Sequence, residues 1–295
     1  MTRSAGTIPA ACRQPGRVLM RLAALWLCAA VSAAAAAQAP ESFMRLAEDA
    51  EGRPQALQVA LAHYRDDQGR TLHLVGAVHV ADRAYFQDLQ RRFDDYDVVL
   101  YELVGDPDGG GERPAGTGLN LVGMLQGGMK DALGLAFQLD EIDYQRSNFV
   151  HADMTPTEFS DSMKSRDESW AGTFMQMWAA SVATQDPAVQ QGQLLRVLLA
   201  KDRQLTLKRV MAESMIDQAG VLEVLAGEEG SVLITERNRK ALSVLESELA
   251  GGAGNIALFY GAGHLPDFHR RLTNQYGFEL EAVEWLDAWD LGDDS

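Results

Sequence analysis

Two histidines in this chain share one local frame, with a glycine three residues earlier at the end of an apolar run. His79 closes the sequence Gly-Ala-Val-His, and His264 closes the sequence Gly-Ala-Gly-His. A third apolar run, Val98–Tyr101, is followed directly by Glu102. Two imidazoles and a carboxylate at the ends of predicted strands form a set that can hold a divalent metal ion or carry out acid–base catalysis.

Three glycines accompany these histidines. Gly76 and Gly261 begin the two frames, and Gly263 directly precedes His264. Because glycine has no Cβ, we expect Gly76 and Gly261 to let the strand ends turn sharply and Gly263 to let a backbone or ligand approach closely. All three are therefore candidate cofactor-binding positions.

Arg237, in the sequence Thr-Glu-Arg-Asn, is predicted to begin the helix before the second frame. A guanidinium binds carboxylates and oxyanions through two parallel hydrogen bonds, so Arg237 could orient Glu102 or stabilise a developing oxyanion. The alternative is an exposed arginine on a helix. The remaining histidines are predicted to have structural roles: His63, His73, His151 and His269.

A β-hairpin is predicted at the start of the domain. Apolar residues alternate over residues 55–64 and 71–78, and the Asp-Asp-Gln-Gly sequence at 66–69 is typical of a turn. Asp82 is a candidate cap for a following helix, and residues 97–104 are a predicted strand. Strand, helix and strand in this order predict a parallel, right-handed βαβ unit.

The rest of the chain is predicted to alternate between helices and strands. Residues 119–230 are predicted to be mostly helical, with a capping box at Thr155–Glu158. Helices are predicted at 234–249 and 266–274, and strands at 255–260 and 278–285. The predicted fold class is therefore α/β: a mixed β-sheet with flanking helices, an N-terminal β-hairpin and a large, mainly helical insertion.

The first 37 residues are predicted to be a secretory signal peptide. They combine four arginines with an Ala-rich apolar stretch and a small-residue cleavage site at Ala35–Ala37, although an uncleaved anchor is the alternative. A single domain over 38–290 and an acidic tail at 291–295 would follow. The glycine-rich residues 105–118 are predicted to be a connector or a lid. The predicted location is periplasmic or secreted, and no later stretch is apolar enough for a membrane span.

Composition narrows the possible functions. Both cysteines, Cys12 and Cys28, lie in the predicted signal peptide, so thiolate chemistry is not expected in the mature chain. The net charge of −16 argues against nucleic-acid binding, which needs a basic surface. No Gly-x-Ser-x-Gly or His-Glu-x-x-His sequence occurs.

With these motifs the chain resembles the TraB/PrgY/GumN family, whose animal relatives are the TIKI proteins. The resemblance rests on the frame at 76–79, the strand end at 99–102, the Glu-Arg-Asn sequence at 236–238 and the Tyr-Gly-Ala-Gly-His-Leu sequence at 260–265. It spans roughly residues 57–285. It implies a fold similar to the erythromycin-esterase-like and ChaN-like α/β superfamily.

The resemblance also implies an activity. TIKI proteins are divalent-metal-dependent peptidases that use manganese or cobalt, PrgY-like proteins limit a peptide pheromone, and ChaN-like proteins bind haem. By this resemblance His79, Glu102 and His264 would be both metal ligands and catalytic residues. Arg237 would support them. The chain departs from the family at Asn238, where an acid often stands, and in having no C-terminal membrane span.

The sequence therefore predicts a periplasmic or secreted hydrolase that uses a divalent metal (manganese, cobalt or zinc), with a peptide or protein as substrate. The alternative is a non-catalytic protein that sequesters a peptide or haem in the same cleft. In a third interpretation, both histidines only complete strand ends.

Overall fold

The computed structural model describes residues 1–2, 39–40, 42–105, 133–166, 187–226 and 231–293. Met1–Ala35 and Ala36–Ser295 are separate units, and every element described below belongs to the second. Apart from Met1 and Thr2, the predicted signal peptide lies outside the described residues. So does the predicted loop beyond Gly105.

The described part of the second unit begins with four strands and then contains both helices and strands. The strands are β1 (Met44–Glu48), β2 (Pro54–Arg65), β3 (Thr71–Ala77), β4 (Val80–Ala81), β5 (Val98–Tyr101), β6 (Ala136–Phe137), β7 (Phe149–His151), β8 (Asn255–Gly261) and β9 (Glu279–Asp290). The helices are α1 (Arg83–Arg92), α2 (Gln138–Glu141), α3 (Pro156–Ser165), α4 (Pro187–Leu199), α5 (Arg203–Ala226), α6 (Arg237–Ala250) and α7 (Leu265–Gln275).

Seven of these strands form one mixed sheet, so the predicted α/β class with a mixed sheet and flanking helices is confirmed. β2 pairs antiparallel with β9 along one edge, and with β1 and β3 in turn along the other. From β3 the sheet continues in parallel through β8, β5 and β7. The short strands β4 and β6 pair separately.

The predicted hairpin is confirmed as β2 and β3. Its turn is stabilised by Asp66, whose carboxylate accepts hydrogen bonds from the backbone N–H groups of Gln68 and Arg70. Gly69 adopts a φ of 81°, a left-handed conformation that favours glycine. The parallel relation of β3 and β5 is also as predicted, but β8 lies between them.

One face of the sheet is covered by α1. Its buried residues Tyr85, Phe86 and Leu89 belong to one apolar cluster with Val99 of β5 and Phe259 of β8. Their spacing matches the helical period, so one stripe of α1 is removed from water. Each large apolar side chain buried in this way contributes about 1.5–3 kcal/mol.

The opposite face is covered by α6 and α7. Leu242 and Leu245 of α6 and Phe268 and Leu272 of α7 are buried in a second cluster that includes Leu258 of β8. Neighbouring residues of β8 therefore point to opposite faces, as the pleat of a strand requires. The sheet lies between two helical layers.

Asp82 does not cap α1 with its side chain, although it stands at the predicted position. Its carboxylate instead binds the Nζ of Lys208 at 2.9 and 3.0 Å and the backbone N–H of Asp290 at 2.5 Å. Lys208 is mostly buried, and a buried ammonium needs a partner of opposite charge. Asp82 thus ties the start of α1 to α5 and β9.

The segment predicted to be mostly helical also supplies a strand to the main sheet. β7 pairs in parallel with β5, and at three residues it is too short to show a periodic pattern. The capping box is confirmed, since Thr155 and Glu158 bond each other's backbone N–H groups at the start of α3. Among the described residues, no helix has the length and apolarity that crossing a bilayer requires.

The predicted final strand is longer than expected. β9 runs to Asp290, and Leu291 is fully buried with its carbonyl accepting two hydrogen bonds from Arg209. The first residue of the predicted acidic tail is therefore part of the packed domain.

Gly76 does not turn the chain. It lies within β3, and a Cβ at this position would stand 3.0 Å from the backbone oxygen of Ala60 and 3.4 Å from side-chain atoms of Val59 and Leu265. The prediction of a turn at Gly76 is therefore wrong, and packed protein fills the space that its missing side chain leaves.

We expect Gly76→Ala to lower the free energy of unfolding by about 1–3 kcal/mol, because the added methyl group meets a backbone oxygen that cannot retreat. Gly192→Ala is the matched control. It adds a methyl group in open space on α4 and should raise stability by up to about 1 kcal/mol. Urea unfolding of both variants checks this, and an unchanged midpoint for Gly76→Ala would contradict the packing.

Candidate functional site

The four parallel strands end at the same edge of the sheet, and each is followed by a polar residue. In the register of the sheet, Ala77 is opposite Gly261, and Tyr101 is opposite both Phe259 and His151. Ligand sites in α/β sheets lie outside such carboxyl ends. The residues that follow there are His79 after β3, Glu102 after β5, Asp153 after β7 and His264 after β8.

Glu102 is held at this edge by both of its oxygens. Oε2 accepts a hydrogen bond from the backbone N–H of Gly261 at 2.6 Å, and Oε1 accepts one from Nη2 of Arg237 at 2.5 Å. The Nε2 atom of His264 lies 3.6 Å from the same Oε1. These two hydrogen bonds fix the orientation of the Glu102 carboxylate, and in this orientation it lies beside the imidazole of His264.

Gly261 makes room for this carboxylate. A Cβ at Gly261 would stand 3.2 Å from Oε2 of Glu102, and the φ of Gly261 is not in the left-handed region. Gly261 was predicted to let the strand end turn, and in the structure its missing side chain also leaves room for the carboxylate of Glu102. Gly263 lies in the 3₁₀ turn Ala262–His264 that places His264.

Arg237 joins Glu102 to Asp153. Its Nε and Nη2 atoms donate to the two oxygens of Asp153 at 3.0 and 2.6 Å, and Nη2 also donates to Glu102. Arg237 is only 9% exposed and Asp153 only 1%. The alternative of an exposed arginine is therefore wrong, and the arginine orients Glu102.

Burial alone would lower the pKa of Arg237, but Asp153 and Glu102 raise it above its usual value. A π-helical turn, Val232–Glu236, delivers Arg237 to the first position of α6. In this turn the N–H of Glu236 donates to the carbonyl of Ser231. Single π-helical turns of this kind are frequent at functional sites.

His264 is buried and contacts a buried amide. Its Nδ1 lies 2.6 Å from Oδ1 of Asn238, and Nδ2 of Asn238 donates to the His264 carbonyl and to Oδ2 of Asp267. Asp267 also accepts hydrogen bonds from Arg270 and Arg271. Burial lowers the pKa of His264 to about 4 against the opposing effect of Glu102, so the imidazole is neutral at pH 7.

Burial by itself would raise the pKa of Glu102. The interactions with His264, Arg237 and His79, together with the Gly261 N–H, outweigh burial and lower this pKa to about 2. The carboxylate is therefore ionised at neutral pH. Glu102 and Asp153 thus share a single guanidinium, that of Arg237.

His79 reaches the site from the loop between β3 and β4, where it is exposed. Its Nδ1 lies 3.2 Å from Oε1 of Gln138, and its carbonyl accepts a hydrogen bond from the Gln138 backbone N–H. Nε2 of Gln138 donates to the hydroxyl of Tyr144 at 2.9 Å. The start of α2 thus holds the His79 loop in place.

These groups surround a cavity of about 270 Å³. Its polar lining residues are His79, Glu102, Gln138 and Arg237, and its apolar lining residues are Leu103, Val104, Phe137 and Leu139. His264 does not line the cavity, but it contacts Glu102 and Arg237, which do. The cavity combines a charged wall with an apolar wall.

The sequence identified His79, Glu102, His264 and Arg237, and the structure brings all four to this edge. It missed Asp153 and Gln138. Asp153 carries the same signal as Glu102, a carboxylate just after an apolar run, but this run lies in the segment predicted to be helical. Gln138 has no comparable signal.

The other four histidines, which were predicted to have structural roles, do not line the cavity. His63 and His73 contact each other through their Nδ1 atoms, His151 donates to the Leu103 carbonyl, and His269 bonds the hydroxyl of Tyr64.

No protein-family model, no curated protein and no solved structure matches this chain. The resemblance to the TraB/PrgY/GumN family therefore rests on the sequence motifs alone.

We expect Arg237→Ala to lower the free energy of unfolding by about 3–5 kcal/mol, because it leaves two buried carboxylates without their counter-charge. Arg239→Ala is the matched control on the same helix. Its side chain is 56% exposed and pairs with Glu236, so its removal should cost less than about 1 kcal/mol. Equal effects of the two changes in urea unfolding would contradict the buried ion network.

We expect acid to destabilise the protein partly through His264. Its pKa in the folded protein is about 4, below the ordinary 6.5, so the unfolded chain takes up the proton first. The contribution of His264 to the free energy of unfolding is therefore complete above pH 6.5 and is lost as the pH drops toward 4. The loss is about 2 kcal/mol at pH 5.

His264→Asn removes this titration and retains a donor for Asn238. The free energy of unfolding should therefore fall less between pH 7 and pH 5 in the variant than in the parent. The difference between the two proteins should be about 2 kcal/mol. An identical pH dependence in the two proteins would show that His264 is not buried in its neutral form.

Proposed function

We propose that this chain is a divalent-metal-dependent hydrolase that cleaves peptide bonds, in the periplasm or outside the cell. The observation that carries the proposal is the position of the Glu102 carboxylate. It lines a cavity together with His79 and lies 3.6 Å from Nε2 of His264. The resemblance to the TIKI proteins supports the same activity.

The donor set fits a divalent cation. Two ligand atoms on one tetrahedral zinc ion at about 2.1 Å are roughly 3.4 Å apart, close to the 3.6 Å between His264 Nε2 and Glu102 Oε1. Imidazole and carboxylate ligands suit zinc, manganese and cobalt. Among the described residues, no three His, Cys, Asp or Glu side chains already surround one point. The exposed side chain of His79 would complete the set.

Glu102 fits the role of ligand better than that of general base. A general base is most effective when its pKa lies near the working pH, and the pKa of Glu102 is about 2. Its fixed negative charge instead attracts a cation. Arg237 retains both of its bonds to Asp153 whatever Glu102 binds, so the arginine stays in place.

Arg237 also offers a donor to the substrate. Among the described residues, its Nη1 contacts only the imidazole of His264, at 3.4 Å. Since Arg237 lines the cavity, its remaining N–H can donate to the oxygen of a peptide carbonyl as negative charge develops there. A bound divalent cation would lower the pKa of a water molecule and polarise the same carbonyl. The apolar wall would accept an apolar side chain of the peptide.

A non-catalytic peptide-binding protein is the second candidate. The bond between Arg237 and Glu102 favours it, because the carboxylate already has a cationic partner. Haem is less well supported. The described cavity of about 270 Å³ is below the roughly 300–1,000 Å³ of ordinary ligand pockets.

We expect manganese, cobalt or zinc to raise the melting temperature of the parent protein and not that of a His79→Ala/His264→Ala double variant. An ion at about 100 times its Kd adds about 2.7 kcal/mol. His269→Ala is the matched control, because this histidine bonds Tyr64 away from the cavity and its removal should leave the metal effect intact. Cleavage of a peptide library by the metal-loaded parent, followed by mass spectrometry, completes the test.

Stabilisation by metal that is equal in the parent and the double variant would remove the proposed site. A peptide that binds the parent and is never cleaved with any of the three metals would favour the second candidate.

A further inference from the structure

Asn238 is a buried polar side chain to which the hydrolase proposal gives no role. It is 0% exposed and lies between His264 and Asp267. Its Nδ2 is 3.1 Å from the carbonyl oxygen of His264 and 2.9 Å from Oδ2 of Asp267, and its Oδ1 is 2.6 Å from Nδ1 of His264. All three contacts are within hydrogen-bonding distance.

The contacts of Nδ2 decide which way the amide of Asn238 points. A backbone carbonyl and a carboxylate can only accept hydrogen bonds, so the NH₂ group must face them. The reversed amide would press an oxygen against two oxygens in a buried site, where each unmade hydrogen bond is costly. Oδ1 of Asn238 therefore faces the imidazole of His264.

The oxygen of Asn238 in turn decides where His264 carries its proton. An amide oxygen only accepts, so Nδ1 of His264 must carry the hydrogen that joins the two. In a neutral imidazole the other nitrogen, Nε2, then has a free electron pair.

The donor that contacts Nε2 agrees with this assignment, and the Oε1 atom of Glu102, an acceptor, lies 3.6 Å from Nε2, beyond hydrogen-bonding distance. Nη1 of Arg237, which can only donate, lies 3.4 Å from Nε2. A hydrogen on Nε2 would point toward this cationic donor.

We propose that Asn238 is a positioning residue that holds His264 in the Nδ1–H tautomer, so that Nε2 presents its electron pair beside Glu102. The inference goes beyond the proposed function, since it holds in the absence of any metal and of any turnover. It names the chemistry that His264 can offer: Nε2 takes a cation or the proton of a hydrogen-bond donor.

The use of an amide has a specific effect. Partners that orient metal-binding histidines are commonly carboxylates or backbone carbonyls, and a carboxylate would add negative charge next to the ring. The amide of Asn238 directs the ring without adding charge.

The test is nitrogen NMR of the metal-free protein labelled with ¹⁵N-histidine, at pH 7.5. Long-range proton–nitrogen correlations distinguish the two neutral tautomers and the imidazolium, and His264→Asn assigns the signals of His264 by their disappearance. We expect the Nδ1–H pattern with an unprotonated Nε2. An Nε2–H pattern or an imidazolium would overturn the proposal.

Asn238→Ala then tests the role of the amide itself. We expect His264 to lose its single tautomer and to show averaged nitrogen shifts. If the alanine variant does not fold, Asn238→Ser replaces it, because serine fills the buried position with a small polar side chain. The nitrogen shifts of His264 are then measured in the serine variant, with the same expected loss of a single tautomer. An unchanged Nδ1–H pattern in the folded variant would show that Asn238 does not set the tautomer.

Metal titration of the same samples separates this proposal from the hydrolase. We expect Asn238→Ala to weaken metal binding by about 10- to 100-fold, and Arg239→Ala to leave it unchanged. The Nδ1–H tautomer in a parent that binds no metal would support the role of Asn238 and refute the hydrolase. Metal binding by a parent with the Nε2–H tautomer would refute the role of Asn238 and support the metal site of the hydrolase.

Discussion

A single guanidinium holds together the ends of two strands and the start of a helix. Arg237, at the first position of α6, bonds Glu102 after β5 and Asp153 after β7. Without this charge, two buried carboxylates would repel each other, and one of them would take up a proton. With it, both are held in fixed positions by an opposite charge. The orientation of Glu102 toward the cavity and its distance to His264 depend on this arrangement.

The charged groups form one connected network across the edge of the sheet. From Asp153 it runs through Arg237 and Glu102 to His264, and from there through Asn238 to Asp267 and its arginines. The two ends of the network differ in how many arginines neutralise their carboxylates. Asp267 is paired with two arginines, whereas Glu102 and Asp153 share one. Negative charge therefore remains at the cavity end of the network, where a cation is favoured.

The sequence located much of this edge, because a polar residue just after an apolar run marks a strand end. That logic placed His79, Glu102 and His264 correctly. It failed at Asp153, since a strand of three residues shows no period and neighbouring helices dominate the pattern. The sequence also could not show why each glycine is needed. A sharp turn and a close approach of another group both require the absence of a Cβ, so the two roles look the same in a sequence.

Other features of the site depend on tertiary packing that no local pattern records. The π-helical turn before Arg237 and the contact of Gln138 with His79 belong to this group. The burial of Arg237 is a further case. An arginine at a helix start is usually exposed, and only the approach of strand ends from distant parts of the sequence surrounds it with carboxylates.

The position of β8 has a consequence for how this chain folds. β8 is near the end of the sequence but lies in the middle of the sheet, between β3 and β5, and β9 pairs with β2 across more than 200 residues. A sheet with such distant partners has a high contact order, which slows folding. Until β8 is in place, β3 and β5 each expose an unpaired edge, and such edges promote aggregation. The site can assemble only when the last part of the chain has joined the first.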